Sequence, residues 1–403
     1  MLVIDPAFLA RRQMEIDRAR TARFPHLLAR KSARMKASPF ALLRGAAPLF
    51  YEVLERHPSL REGPAGKGWL VGDAHLENFG AYRAGVLGVG ETRRNLSAEA
   101  VVFDLNDFDD AVVGPWRFDV LRLLTSLLLA GRESRTDGAR SLQLCDALLG
   151  SYVGAAFHAR RPPPKPEAIT RMMEKVRRRT REEFLDARTE VVRGKRRFVR
   201  GERFEELAPK LRSKAERAFA KYAKRIARAY RIPAEAFEVI DAAFRVAGTG
   251  SLGCLRVAML VAGKGGRDGG WIFDLKSQDT ASAAKLVGRI DLAPADRVCA
   301  AVDACLAHPP RMVGSTRLRR ASMFVRRLAP QEDKLDLTRL APADLQPLAR
   351  YLGWLLGHAH RRGATRAPKK AWTATERRQL VNRAVALAGL HEATYLAYCD
   401  LTR

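Results

Sequence analysis

The stretch "FRVAGTGSLGCLRVAMLVAGKGGRDGGWIFDLK", Phe244 to Lys276, constrains the fold more than any other part of the chain. Short apolar runs are punctuated by two glycine clusters. Residues Cys254 to Val261 alternate and include Val257, a pattern that favours extended backbone. The run therefore reads as strand, glycine loop, strand, glycine turn, strand. The first loop is Gly248-Thr249-Gly250-Ser251-Leu252-Gly253. A dinucleotide-binding loop of this spacing opens a helix, whereas this one opens a strand. Glycines between antiparallel strands let the backbone approach phosphate groups closely, because no Cβ intervenes. Lys276 ends the third strand, from which an ammonium group reaches back under the loop as a point charge.

Around this region the chain reads mainly as helix. Residues 5–60 place apolar side chains three and four apart, and Ser38 caps a helix with Pro39 in its first turn. Residues 117–131 and 139–159 are helical in spacing, "RPPPKP" at 161–166 is a stiff linker, and long charged helices fill roughly 166–230. Helical spacing returns at 294–307, "MFVRRLAP" adds a strand, and "LQPLARYLGWLLGHAHRRG" is an amphipathic helix ending at Gly363. His358 and His360 lie about 200° apart on that helix and cannot share a metal, so both read as structural.

Two further strands, "WLVGD" and "AVVFD", each run into an acidic loop. The first loop, "GDAHLEN", carries Asp73, His75 and Asn78; the second, "FDLNDFDDA", carries Asp104, Asp107, Asp109 and Asp110. Their spacing is not that of a twelve-residue calcium loop. Phosphoryl transfer to a hydroxyl needs a carboxylate that orients the hydroxyl and takes its proton, and hard oxygen ligands for Mg²⁺. Asp73 suits the first task, and Asn78 and Asp107 suit the second. Asp109 and Asp104 are substitute ligands if the register differs. His75 is a base, a ligand or a hydrogen-bonding brace of the loop. Phe103, Phe108 and Trp116 read as core.

The formal charge of +28 is uneven: residues 160–231 hold 25 Lys and Arg against 10 Asp and Glu, which is 15 of the 28. Such a segment is either a set of solvated helices or a surface for nucleic acid, anionic lipid or a phosphorylated substrate. It lacks interleaved aromatics. Five cysteines without Cys-x-x-Cys spacing suggest neither a disulfide framework nor a zinc site, and fit a reducing cytoplasm. The apolar stretch "VLRLLTSLLLAG" is too short for a transmembrane segment and carries Arg122.

As a set, these residues resemble a known pattern. "GDAHLEN" is similar to the catalytic loop of aminoglycoside phosphotransferases and related small-molecule kinases. "NDFDDAVVGPWRFDVLRL" is similar to their metal-binding segment, in which a second Asp follows the first by about twelve residues and opens a helix; Asp107 and Asp119 reproduce that interval. Together with "MKASPFALLRG", "GTGSLG" and "FVRRLAPQEDKLDL", the motifs resemble the bacterial family of domain of unknown function 2252, from about residue 28 to about 365. The resemblance implies ATP and Mg²⁺ as cofactors, with Asp73 as base, Asn78 and Asp107 on the metal, Lys276 on the phosphates and Gly248 to Gly253 over them. A kinase, however, runs glycine loop, lysine, helix C, then catalytic loop and metal Asp. Here that order appears only when 244–363 is read before 66–131, which implies a circular permutation. The 294–307 helix holds no Glu to orient Lys276; Asp296 or Asp303 are the substitutes it offers.

The expectation is an α+β, protein-kinase-like, two-lobed and circularly permuted fold with extra helices. Residues 1–65 form an N-terminal helical segment, 66–239 a helical lobe with the acidic loops and a basic insert, 240–340 a smaller β-rich nucleotide-binding lobe, and 341–403 C-terminal helices packed on the helical lobe. The expected function is ATP- and Mg²⁺-dependent phosphoryl transfer to the hydroxyl of a small-molecule acceptor. The rivals are a nucleotide-binding pseudokinase, an AMP-transferring enzyme, and a basic nucleic-acid-binding protein.

Overall fold

The computed structural model describes residues 4–84, 101–266, 268–337, 340–366 and 370–402. The N-terminal segment is a run of short helices: α1 (Pro6–Thr21), α2 (Leu27–Met35), α3 (Pro39–Gly45), α4 (Ala47–Arg56) and α5 (Pro58–Arg61). Local chemistry starts them. Asp5 accepts from the Ala7 amide at 2.9 Å, and Ser38 accepts from the Ala41 amide at 3.1 Å, with Pro39 at the first helical position. Strands β1 (Lys67–Leu70), β2 (Phe79–Arg83), β3 (Val101–Leu105) and β4 (Val112–Pro115) follow, then α6 (Arg117–Glu133) and α7 (Gly138–His158).

The basic segment comes next: α8 (Glu167–Arg178), α9 (Arg181–Asp186), β5 (Thr189–Val192), β6 (Lys195–Phe198), β7 (Phe204–Glu205) and α10 (Pro209–Tyr230). The long charged helices expected over 166–230 are present in part, but short strands interrupt them. Arg193 and Gly194 both take positive φ, 49° and 76°, and turn the chain into a β5–β6 hairpin. Then come β8 (Val239–Arg245), β9 (Arg256–Val261), β10 (Trp271–Gln278), α11 (Ala284–Val287), α12 (Pro294–Cys305), β11 (Gly314–Leu318), β12 (Ala321–Leu328) and β13 (Asp333–Lys334). The chain closes with α13 (Pro342–Arg362), β14 (Ala364–Arg366) and α14 (Ala374–Leu401). Among the described residues, no helix is long and apolar enough to cross a membrane.

The fold is thus α+β. Its large sheet has the order β11-β12-β10-β9-β8-β7, and its paired strands are antiparallel. The two-residue alternation of the strands divides their side chains cleanly. Phe273 and Leu275 on β10, with Val257 and Met259 on β9, join one core with Phe219 and Tyr222 of α10. The Phe219 and Phe273 rings lie 5.2 Å apart. Asp274 and Lys276 point the other way. On packing, then, α10 goes with this sheet, so the sheet's unit starts ahead of residue 240. Further along the same strands, Leu260 and Ile272 pack with Leu185, Phe198 and Phe204, so the hairpin region closes that end of the sheet.

A second, larger core unites α3, α4, α6, α7, α13 and α14. Within it α13 lies tightly on α7: a Cβ added to Gly353 would stand 2.2 Å from the Leu148 carbonyl oxygen. Two small sheets, β14-β1-β4 and β13-β2-β3, sit at the edge of this helical core and carry the acidic loops. Strand β13 reaches them from the large-sheet side, pairing Lys334 with Gly80 and Asp333 with Ala81. The loops consequently face the large sheet.

Candidate active site at the acidic loops

β1 runs into Val71-Gly72-Asp73. Gly72 has φ +83°, and a Cβ there would stand 1.9 Å from the Asp110 carbonyl oxygen, so only glycine lets the two acidic loops meet. The turn is held by Asp119. This carboxylate is fully buried and accepts from the Val71 amide at 2.6 Å and the Gly72 amide at 2.9 Å. Its Oδ2 also meets His360 Nε2 at 3.0 Å, and His360 Nδ1 meets the Tyr152 hydroxyl at 2.9 Å. Asp119, which the sequence places at the opening of a helix, lies in the first turn of α6 but makes no cap; it braces the first acidic loop. Asp119→Ala leaves two buried amides unpaired, each loss costing about 1–3 kcal/mol. The expected result is destabilisation by about 2–5 kcal/mol in urea unfolding, with His360→Ala smaller; a change under about 0.5 kcal/mol would mean the loop is held otherwise.

Asp73 leaves this turn toward the cleft, with its side chain 24% exposed. Arg122 of α6, fully buried, donates its Nε to Asp73 Oδ1 at 2.7 Å and its Nη2 to the Leu43 carbonyl at 2.8 Å. Burial raises the Asp73 carboxyl above its ordinary range; Arg122 opposes that, while Asp110 and Asp107 add to it. His75 is buried, and its Nε2 lies 3.9 Å from Asp73 Oδ2, too far for a hydrogen bond. Its Nδ1 has no partner, so it does not brace the loop by hydrogen bonds. Burial first, then Arg44, Lys334 and Arg122, drive it well below the usual imidazole range, so the ring is neutral near pH 7.

Asn78 ends a single 3₁₀ turn, Leu76–Asn78, and is 1% exposed. Its Nδ2 donates to the carbonyls of Asp73 at 3.0 Å and Asp107 at 3.1 Å. The amide is therefore oriented by two acceptors, and its Oδ1 is left buried without a partner. This one side chain ties the two acidic loops together.

In the second loop, burial alone raises Asp107, but Lys276, Lys334, Arg326 and Arg256 outweigh it and hold its carboxyl below the usual range. Lys276 Nζ contacts Asp109 Oδ2, and Gln278 Nε2 donates to Asp109 Oδ1 at 2.7 Å. Asp110 accepts from the Ser282 amide and hydroxyl, both at 2.8 Å. Neither proposed α12 substitute reaches Lys276: Asp296 pairs with the Ser315 hydroxyl at 2.5 Å, and Asp303 lines neither cavity of the cleft. What α12 contributes is Arg297, which donates to the carbonyls of Ala111, Asp109 (2.8 Å) and Asp279 (3.0 Å). Asp104 is not part of the group. It lines neither cavity, and burial moves its carboxyl up to about 7. Along β3 its side chain alternates with Phe103 and Leu105, which are buried in the helical core.

The glycine loop joins β8 to β9, as expected, and the N-terminal helices strap it down. Lys31, fully buried and 3.4 Å from Asp17, donates to the Thr249 carbonyl at 3.2 Å, and Arg34 donates to that of Gly248. Gly253 has φ +98°, and a Cβ there would stand 2.4 Å from the Arg20 carbonyl oxygen. Leu252 is buried in the sheet's core rather than facing the cleft.

Two contiguous cavities result. The smaller, about 90 Å³, is lined by Asp73, His75, Asp107, Asp109, Lys276 and Gly248 to Ser251, with Arg20 and Arg44 from the N-terminal helices. The larger, about 700 Å³, adjoins it through Asp107, Asp109, Gly248, Ser251, Lys276 and Lys334. Its sheet wall carries Arg245 and Arg256, both paired with Asp274 at 2.6 Å and 2.5 Å. Arg179, Arg188 and Arg203 of the basic segment also face it, alongside apolar Val302, Phe324 and Leu328. The cleft thus opposes one acidic wall to one strongly basic wall. Among the described residues, no three His, Cys, Asp or Glu side chains are arranged to hold a metal by themselves.

Arg122, Arg297, Gln278 and the N-terminal arginines were not legible as site residues, because their roles rest on contacts between elements far apart in sequence. Comparison of the chain with curated proteins and with solved structures gives no match. Against protein families, residues 23–401 match the one described as an uncharacterized protein conserved in bacteria, DUF2252. That match spans nearly all of the helices and sheets described above, and the chain belongs to the DUF2252 family.

Proposed function

We propose that the protein is an ATP- and Mg²⁺-dependent phosphotransferase of circularly permuted, protein-kinase-like architecture, acting on the hydroxyl of a small molecule. The observation that carries this reading is that Asp73, Asp107, Lys276 and the Gly248–Ser251 backbone border one cavity although some 200 residues separate them in sequence. The order of the large sheet supports it: a glycine loop joins β8 to β9, the lysine lies two residues before the end of β10, a helix follows, and β12 lies between β10 and β11.

The residues fit the cofactors. Mg²⁺ takes one or two protein oxygens and fills its octahedron with water and phosphate oxygens, so a set of three carboxylates is not required. Asp107, anionic and on the wall of both cavities, and the oriented, unpartnered Oδ1 of Asn78, which itself lines neither cavity, would supply such a pair. Bound Mg²⁺–ATP would bring the transferable phosphoryl group. Lys276, which now contacts Asp109, would hold phosphate oxygens together with the amides of the glycine loop. Asp73 accepts the proton of the acceptor hydroxyl, and its raised basicity serves that role.

Burial pushes the Lys276 ammonium down to about 8, with Asp107 opposing and Arg326, Arg20 and Lys334 adding. It is charged at pH 7 and loses its proton through pH 8. Nucleotide affinity is therefore expected to fall several-fold between pH 7 and pH 9 in the wild type, and Lys276→Arg should remove most of that fall. Equal pH dependence in both proteins would take Lys276 off the phosphates.

The arginines on the sheet wall of the larger cavity favour a second reading. Were the terminal phosphates of a triphosphate to take Arg245, Arg256 and Arg326, the α-phosphorus rather than the γ-phosphorus would be the one attacked. That is AMP transfer. Incubation with γ-labelled and α-labelled ATP and a panel of hydroxyl compounds separates the readings. Label from the γ-position alone supports phosphoryl transfer, and label from the α-position alone supports AMP transfer. Neither, alongside tight nucleotide binding, indicates a pseudokinase.

A further inference from the structure

Helix α10 has two opposite faces. Ala215, Phe219, Tyr222 and Ile226 share one side and are buried in the core beneath the large sheet. Lys210, Lys214, Arg217, Lys221, Lys224 and Arg228 share the other side, within an arc of about 80°. They follow one another at intervals of four, three, four, three and four residues. Lys214 is half-buried and the other five are exposed. The result is a straight row of cations about 27 Å long.

Two observations set this row apart from ordinary surface charge. Elsewhere in the basic segment the arginines meet acids: Arg179 meets Asp333, Arg196 meets Asp186 and Asp268, and Arg200 and Arg212 meet Asp241. Among the described residues, none of the six cations of the row forms an ion pair. The sole carboxylate of α10, Glu216, lies off the row and pairs with Arg212 at 2.9 Å. Like charges three and four apart repel on a helix, so the row is kept at a local cost. The second observation is residue type. The chain has 16 Lys against 56 Arg, yet four of the six are lysine. A general arginine bias therefore does not account for the row.

We propose that this face of α10 binds the phosphate backbone of double-stranded nucleic acid without reading its sequence. A duplex carries one negative charge for about every 1.7 Å of its axis, so a straight row of cations meets phosphates along its whole length. Helix α10 has no Asn or Gln, and its row has no aromatic side chain. It thus lacks the usual readers of adenine and a platform on which single-stranded bases stack. A helix that lies on an anionic bilayer buries its apolar face there, and the apolar face of α10 is already taken by the sheet. The core of a protein–protein interface is depleted in lysine. The row lies on the side of the sheet away from Lys276, and none of its residues lines either cavity of the cleft. The proposal is therefore independent of the phosphotransfer reading.

Fluorescence anisotropy of the full chain with labelled DNA and RNA duplexes of about 20 base pairs tests it. Affinity is expected to fall about 10²–10³-fold between about 50 and 200 mM salt, as about four to six phosphate contacts require. Lys221→Gln combined with Lys224→Gln should lower the slope of log affinity against log salt by about 2. Arg217→Gln combined with Arg228→Gln should do the same. Glutamine keeps a good helix propensity, so both pairs of substitutions leave α10 folded. Lys285→Gln with Arg378→Gln removes two exposed cations outside α10 and should leave the slope unchanged. Lys276→Met should leave it unchanged too. Retention of the wild-type slope in both α10 variants would overturn the proposal. So would an equal loss in the Lys285 and Arg378 variant, which would mean diffuse charge, or a loss in Lys276→Met, which would place the duplex in the cleft. No duplex binding by the wild type at about 50 mM salt, or tighter binding to single strands or phosphatidylserine vesicles, would also overturn it.

Discussion

Asp73→Asn is expected to cut turnover by about 10²–10⁴-fold while leaving Mg²⁺–ATP affinity within about threefold of wild type. In the proposed mechanism the labour is divided. Nucleotide binding would rest on the glycine loop, Lys276 and the metal ligands, none of which needs the Asp73 charge. Proton removal needs a basic oxygen, which the amide lacks. The substitution also removes the carboxylate that faces the fully buried Arg122, so a loss of stability accompanies it. Thermal unfolding must therefore be measured beside acceptor-stimulated ADP release. Unchanged turnover in a folded Asp73→Asn protein would remove Asp73 from the mechanism.

Asp107→Ala is expected to abolish the Mg²⁺-dependent part of nucleotide binding. Wild-type protein at 100 times Kd gains about 2.7 kcal/mol of stability from a ligand bound only to the native state. Without its anionic ligand a hard cation is no longer bridged to the phosphates, and that increment disappears. Asn78→Ala should act in the same direction, but it also frees the carbonyls of Asp73 and Asp107 that the amide ties together. Asp104→Ala should leave nucleotide binding alone, since Asp104 lines neither cavity of the cleft. Loss of the Mg²⁺ effect in Asp104→Ala but not in Asp107→Ala would show that the metal is misplaced.

Glycine, carboxylate and strand alternation made several parts of the molecule readable. The 244–276 strands, the Ser38 cap, the helix ending at Gly363 and the two acidic loops all rest on local rules, and those rules act over a few residues. The hairpin at Thr189–Phe198 was hidden by charge. Its second strand carries Lys195, Arg196 and Arg197 where a half-buried strand normally alternates apolar and polar, yet the Arg193–Gly194 turn between Val192 and Lys195 was a usable signal. The placement of α10 was not readable, because its apolar face fits any partner and only Phe273 of the large sheet and Phe237 of the 3₁₀ turn before β8 identify it.

Site residues divide along the same line. Asp73, Asn78 and Asp107 come from compact loops, and Lys276 from a strand end beside a glycine loop. The ion partner of Lys276 did not. A helix C acid was sought within α12, but the acid comes from Asp109, 167 residues earlier, and α12 offers Arg297 to that loop's backbone instead. Reversing the roles of helix and loop in this way leaves no sequence trace. Likewise, the segment 160–231 reads either as solvated basic helices or as a surface for an anionic partner, and nothing in its sequence says that Arg179, Arg188 and Arg203 turn toward the larger cavity.

The central claim is that the cleft between the acidic loops and the large sheet holds a metal–nucleotide complex. A thermal-unfolding series with ATP, ADP, AMP and GTP, each with Mg²⁺ and with chelator, tests it most directly. The account predicts a rise in midpoint with ATP and Mg²⁺ that chelation reduces and that both Asp107→Ala and Lys276→Met abolish. A wild-type protein indifferent to every nucleotide at millimolar concentration, or one whose response survives in both variants, would contradict it.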